Sequence, residues 1–285
     1  MVREFKLLNE KGQSYSLMDI QNYALLTEPD GLGYSYSTEY QQLGNTFVNN
    51  IRLIEQGQIS GILNFISYQN YFNFINYIES SNELKFGYKI PNMDGTYKEY
   101  FKDISIQGIT KTQKQLNGII SETVTFDCLS LWYEENTIIY TIEPQDDEIR
   151  WDFRWDSRFA DYSARNLQYI NHGHVEAPII LEINGYVENP KIELYVEGQL
   201  YQTVPFHIVL TQYEKLLYDT RENHFFIGKQ NADGTRSSLF NLDVIDFSND
   251  NVLKIPKNRS CEIRLLADND IQNAQITILP QYKAV

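Results

Sequence analysis

Between Ala177 and Pro280 short β-branched runs are cut at near-regular intervals by turn residues, and this punctuation constrains the fold more than any other feature. Ile179–Ile183 stops at Asn184-Gly185, and Lys191–Val196 stops at Glu197-Gly198. Leu216–Asp219 and His224–Ile227 follow, then the turn Asn231-Ala232-Asp233-Gly234. Glu262–Leu266 and Gln275–Leu279 close the series. β-branched and aromatic residues fit a pleated surface, and Gly or Asn supplies the backbone conformations that reverse a chain. Many short strands separated this evenly predict an antiparallel sandwich or jelly roll.

The first half reads differently. Phe5–Leu8 and Ser14–Met18 flank Asn9-Glu10-Lys11-Gly12 and predict an opening hairpin. Tyr34–Tyr40 alternates aromatic and small polar groups, as a half-buried strand does, and Phe47–Ile54 and Gln58–Phe65 are strand-like. Period 2 then gives way to roughly helical spacing. Tyr68, Tyr71, Phe72, Ile75, Tyr77 and Ile78 predict a helix over Tyr68–Ser80 with Ser67 as N-cap. Strand pattern resumes at Leu84–Ile90 and Tyr97–Ile106, and Asn117-Gly118 marks a two-residue hairpin before Ile119–Leu131.

Length adds a boundary. A chain of 285 residues suits two domains, each with its own core. The composition shift at Pro144-Gln145-Asp146-Asp147-Glu148 places the division at 1–140 and 141–285. The expected class is mainly β: an N-terminal α+β domain, sandwich-like with one helix, followed by a C-terminal β-sandwich.

Charge and cysteine content exclude several functions. The net charge is −14, and the two halves carry about −6 and −8, so no basic surface for neutralising phosphates is hidden in the average. Cys128 and Cys261 fall in different halves, which predicts buried free thiols rather than a disulfide scaffold or a Cys-x-x-Cys site. The N-terminus lacks a signal-peptide core and no run approaches ~20 apolar residues, so synthesis in a cytoplasm without membrane insertion is expected.

Catalytic and ligand chemistry find little support. His172-Gly173-His174 supplies two imidazoles but no neighbouring third ligand, and a surface loop is the simpler reading. Glu134-Glu135 and Asp146-Asp147-Glu148 are consecutive acids, which repel one another instead of facing across a cleft as glycosidase carboxylates do. No nucleophile-elbow, zinc-protease or phosphate-loop motif occurs. No catalytic residue, metal or cofactor is expected. Trp151, Trp155 and Tyr162 could form a sugar-stacking platform, although one-sided alternation favours packing of the two tryptophans.

Several segments carry a family resemblance when taken in order. They are Phe5–Asn9 with Gly12, the Gly31-Leu32-Gly33 loop, the aromatic helix Tyr71–Ile78 and the strand Leu84–Tyr88. Val124-Thr125-Phe126 with Leu129–Tyr133, Pro178–Gly185 with Asn189–Ile192, and Leu216–Thr220 complete the set. Over essentially its whole length the chain resembles the distal tail proteins of long, non-contractile-tailed phages. The resemblance implies a virion structural protein, encoded by a phage or prophage, assembled in the bacterial cytoplasm and located at the tail tip. Its N-terminal domains would form a ring, usually a hexamer, and its C-terminal domains would be galectin-like sandwiches. The implied partners are the tail tube protein, the tail-tip protein and receptor-binding proteins. A ring around a genome passage would place acids on its lumen, with Glu28, Asp30 and Glu39 as candidates. A carbohydrate-binding adhesion module acting on cell-wall polysaccharide is the alternative reading.

Overall fold

Antiparallel strand pairing, much of it between runs distant in sequence, accounts for nearly all of the regular structure among the described residues. The computed structural model describes residues 3–92, 95–111, 115–116, 118–141, 166–239, 252–269, 271 and 273–285. The chain divides into two units: Met1–Glu134 with Tyr282–Val285, and Glu135–Gln281. The expected Tyr140/Thr141 boundary falls inside a strand of the second unit, because Asn136–Thr141 pairs in register with Asn273–Ile278. The last four residues, expected in the second domain, belong to unit 1.

Unit 1 opens with β1 (Glu4–Asn9), β2 (Ser14–Ser16) and β3 (Leu25–Asp30), and then forms a hairpin from β4 (Tyr36–Leu43) and β5 (Thr46–Ile54). After β6 (Gln58–Phe65) and α1 (Tyr68–Glu79) come β7 (Leu84–Pro91), β8 (Tyr97–Ile109) and β9 (Gln115–Leu116). β10 (Ile119–Cys128) and β11 (Trp132–Tyr133) complete the run. The main sheet has the order β2-β1-β7-β8-β10-β6-β3, while β4 and β5 pair only with each other.

Alternation decides which residues enter the core. In β6 it buries Ile59, Leu63 and Phe65, and in β10 it buries Ile120, Val124, Phe126 and Cys128. Phe5 of β1 stacks on Tyr88 of β7 with centroids 5.0 Å apart. Ser67 caps α1, its hydroxyl accepting from the Asn70 N–H at 3.2 Å. The buried face of α1 is Tyr71, Phe74 and Ile78, at i, i+3 and i+7, whereas Tyr68 and Phe72 point outward. Each fully buried Phe contributes about 1.5–3 kcal/mol relative to an exposed one. Phe65, Phe74, Phe86 and Phe126 are all of this kind.

Unit 2 begins with β12 (Asn136–Thr141), β13 (Asn166–Ile170), β14 (Ala177–Asn184) and β15 (Val187–Glu188). It continues through β16 (Lys191–Val196), β17 (Gln199–Pro205), β18 (Val209–Leu210), β19 (Lys215–Asp219) and β20 (Phe226–Gln230). β21 (Arg236–Ser238), β22 (Lys254–Ile255), β23 (Ser260–Leu266) and β24 (Asn273–Ile278) follow, and β25 (Gln281–Tyr282) leads back into unit 1. One sheet has the order β12-β24-β14-β19-β20-β21 with β22 beside β14, and the other has β13-β23-β16-β17. Inward residues of both sheets share one core, with Ile179, Leu181 and Ile276 from the first and Ile192, Leu194 and Ile263 from the second. This is a two-sheet sandwich. The fold is mainly β, as the turn punctuation predicts. Cys128 and Cys261 are free and buried, and burial pushes both thiols up. Among the described residues no helix is long and apolar enough to cross a membrane.

A candidate assembly surface on the first unit

The β4–β5 hairpin stands apart from the ten-stranded sheet, and its sequence explains both its turn and its bend. Leu43 pairs with Thr46 across a two-residue loop whose first residue, Gly44, has φ +61°, the type II′ pattern that matches strand twist. The Thr46 hydroxyl donates to the Leu43 carbonyl at 2.9 Å and closes the turn. Midway, Glu39 pairs with Ile51 and Tyr40 with Asn49, so Asn50 is the extra residue of a β-bulge.

That bulge sorts the apolar side chains into two sets. Cross-strand partners share a face, and faces alternate along each strand. One face carries Leu43, Val48, Ile51 and Leu53, an aliphatic row with Glu39 among it. The opposite face carries Tyr36, Tyr40, Phe47 and Ile54 together with Arg52. Phe47 is 68% exposed, Tyr40 65% and Leu53 64%. Every described residue of β5 is exposed. The expectation of a half-buried Tyr34–Tyr40 strand holds only in part: Tyr36 and Thr38 are half-buried, whereas Tyr34 and Tyr40 are exposed.

The root of the hairpin is held more tightly. The Glu55 N–H donates to the Ser35 carbonyl at 3.1 Å, and the Ser35 hydroxyl donates to the Glu55 carboxylate at 2.8 Å. Just before it, Gly31 has φ +80°, and a Cβ there would lie 1.7 Å from the Gln58 carbonyl oxygen. The Trp132 indole N–H donates to the Leu32 carbonyl at 3.0 Å, so the Gly31-Leu32-Gly33 loop is fixed to the core. The Arg52 guanidinium lies 3.8 Å from the Tyr36 ring centroid, and the Lys283 amine donates to the Tyr36 hydroxyl at 2.8 Å.

The residues singled out from sequence are dispersed. Glu28, with φ +51°, and Asp30 sit exposed at the irregular end of β3, and Glu39 sits exposed on the hairpin. Asp30 and Asp127 line one open depression near the hairpin root, but each carboxylate is engaged locally. Asp30 accepts from the Gly31 N–H at 2.8 Å, and Asp127 accepts from the Gln58 amide at 2.9 Å. Glu134 pairs with Lys98 at 3.2 Å. His172 and His174 are exposed, and among the described residues no group of three His, Cys, Asp or Glu could hold a metal. Trp151, Trp155, Tyr162 and the Asp146-Asp147-Glu148 run lie outside the described residues. Sequence reasoning missed the two-faced exposure of β5. Its signal is the adjacent apolar pairs Phe47-Val48 and Leu53-Ile54, which strict alternation cannot place on one face.

Residues 4–129 match the family model described as the distal tail protein, N-terminal domain. That stretch of unit 1 is similar to the distal tail protein family. A distal tail protein of Lactococcus phage SK1 is 27% identical over 149 residues, which span 49% of this chain and 48% of that protein. The fold likeness extends further. A chain of the phage P2 baseplate in its activated conformation with calcium superposes with a TM-score of 0.71 at 17% identity, covering 100% of both chains. The SPP1 Dit protein, described as a paradigm of the hub adsorption apparatus in phages infecting Gram-positive bacteria, gives 0.54 at 11% identity. It covers 96% of this chain and 98% of that one. The hairpin lies inside the segment that matches the distal tail family.

Proposed function

We propose that this chain is a non-enzymatic structural component of a phage tail tip. It self-associates through unit 1 into a closed ring, a hexamer, that joins the tail tube to the tail-tip and receptor-binding proteins. The observation that carries this reading is the β4–β5 hairpin with large apolar side chains exposed on both faces. An isolated two-stranded hairpin is marginal in water, and exposed contiguous apolar surface marks an interaction site. A second copy suits it best. In a cyclic assembly every hairpin meets the same complementary surface on its neighbour, so one kind of contact covers all copies. The match of residues 4–129 to the distal tail protein N-terminal domain supports this occupant.

Mass measurement and negative-stain imaging of the full chain test the proposal. Ring-shaped particles with six-fold averages are expected, and Phe47→Ser with Leu53→Ser should return the chain to monomer without loss of cooperative unfolding. A monomeric wild-type chain at high concentration and in tail-assembly mixtures would overturn it.

Glu28, Asp30 and Glu39 are proposed to line the passage of that ring, where acidic groups keep DNA from adhering. Screening limits each carboxylate to about 8–10 Å, so only groups at the channel wall matter. Replacing all three with Lys should create salt-sensitive DNA binding by the ring and slow genome ejection. Unchanged DNA affinity and ejection would place them elsewhere. Unit 2 is proposed as the outward-facing, galectin-like portion that meets receptor-binding proteins, a role supported by its two-sheet architecture.

A further inference from the structure

The last four residues of the chain are part of unit 1, and their contacts converge on the hairpin root and the core beside it. β25 pairs with β11, so the chain end is held as a strand. The Tyr282 ring meets the Tyr100 ring edge to face with centroids 5.4 Å apart, and Val285 packs against the unit 1 core. Between these two anchors Lys283 reaches Tyr36, the first residue of β4, with its amine 2.8 Å from the hydroxyl and 5.4 Å from the ring centroid. Arg52, one strand across, lies 3.8 Å from the same ring, so Tyr36 is shared by two cations from different parts of the chain.

We infer that Tyr282–Val285 is a latch that fixes the direction of the β4–β5 hairpin, with Lys283 on Tyr36 as its contact point. At the root Ser35 and Glu55 are bonded to each other, and among the described residues β4 and β5 pair with no strand of the main sheet, so the hairpin can swing about that root. A tie from Lys283 to the first β4 residue removes the freedom, and anchors on both sides of Lys283 keep its amine in place. The tie comes from the opposite end of the sequence, 247 residues from Tyr36. The hairpin is therefore directed only when Tyr282–Val285 has docked on unit 1. This rests on the assembly reading only for its consequence in ring formation, and not for the latch itself.

Hydrogen exchange on the full chain tests the latch, comparing wild type, Lys283→Ala, Tyr36→Phe and the double variant. Tyr36→Phe keeps the ring for Arg52 and removes only the hydroxyl. Each single variant should speed exchange of backbone amides near Ser35–Tyr36 and Ile54–Glu55 by about five-fold, the scale of one partly exposed charge-assisted contact. The double variant should do no more than either single one, and β6 and β10 should keep wild-type protection. Unchanged exchange at the root in both single variants would overturn the latch, as would acceleration spread evenly through unit 1. Light scattering of the same samples separates the two proposals. A monomeric wild type with accelerated root exchange in the variants sinks the ring and keeps the latch. Rings in wild type whose variants exchange like wild type sink the latch and keep the ring.

Discussion

Tyr133 donates its hydroxyl proton to the Asp103 carboxylate at 2.7 Å, and both side chains are buried in unit 1. The Asp103 N–H is itself bound to the Ser130 hydroxyl at 2.8 Å, so β8 and the segment entering β11 are joined through one acidic residue. Nearby, the Lys102 amine sits 4.6 Å from the Trp132 ring centroid, and burial holds it below the ordinary lysine value. Tyr133→Phe keeps the ring and removes the donor. It should cost about 1.5–3 kcal/mol in urea unfolding, the scale of a hydrogen bond to a charged group. A loss under about 0.5 kcal/mol would show that other partners satisfy the carboxylate.

Gly31→Ala should be among the most damaging small substitutions in unit 1. The new methyl group would sit 1.7 Å from the Gln58 carbonyl oxygen, and φ +80° already disfavours any side chain. We expect a loss of about 3 kcal/mol, read as a lowered thermal midpoint. Gly12→Ala is the matched comparison, because its φ of +73° is also positive but open space surrounds it. It should cost only about 1 kcal/mol. Equal losses at the two sites would refute the close-approach argument.

Hairpin substitutions should separate assembly from stability. Phe47, Val48 and Leu53 are already exposed, so Ser at these positions should change unfolding by about 0.5 kcal/mol or less. The same changes should abolish self-association in sedimentation experiments. A destabilised monomer would mean that the hairpin folds back on its own unit in solution.

An acid-side prediction falls in unit 2. The Glu214 carboxylate accepts from the Lys229 amine at 2.7 Å and from the Thr211 N–H at 2.8 Å. Those bonds, the lysine first, hold its folded pKa below the ordinary 4.5. A lowered carboxylate pKa stabilises the fold above the unfolded value and loses that contribution as pH falls through the folded one. Wild type should therefore lose stability below about pH 4.5 more steeply than Glu214→Gln, by less than about 1 kcal/mol because the pair is partly solvated. Parallel pH profiles for the two proteins would contradict the assignment.

Sequence pattern was most legible where one face of a strand is buried and the other is wet. Ile179, Leu181 and Ile183 alternate with Ile180 and Glu182, and the structure buries the odd-numbered set in β14. The turns at Gly185, Gly198 and Gly234 all have positive φ, which is why glycine punctuates those runs. The helix was legible, but its inward face was not: periodicity named Phe72, and packing chose Phe74. Alternation held at the start of β4, where Tyr36 and Thr38 are half-buried and Ser37 and Glu39 exposed, and failed at Tyr40, whose ring meets solvent. The unit boundary was obscured for a different reason. Tyr282 and Lys283 carry no mark saying that their partners are Tyr100 and Tyr36, since pairings this distant leave no local pattern.

Unit 2 leaves unit 1 after β11 and returns through β25, and those two strands are hydrogen-bonded neighbours. Paired strands lie about 4.8 Å apart, so the chain leaves unit 1 and re-enters it at adjacent strands of one sheet. A single backbone cut at either crossing would leave the sandwich attached by the other. Exit and return on neighbouring strands ask of any inserted segment only that its two ends lie side by side.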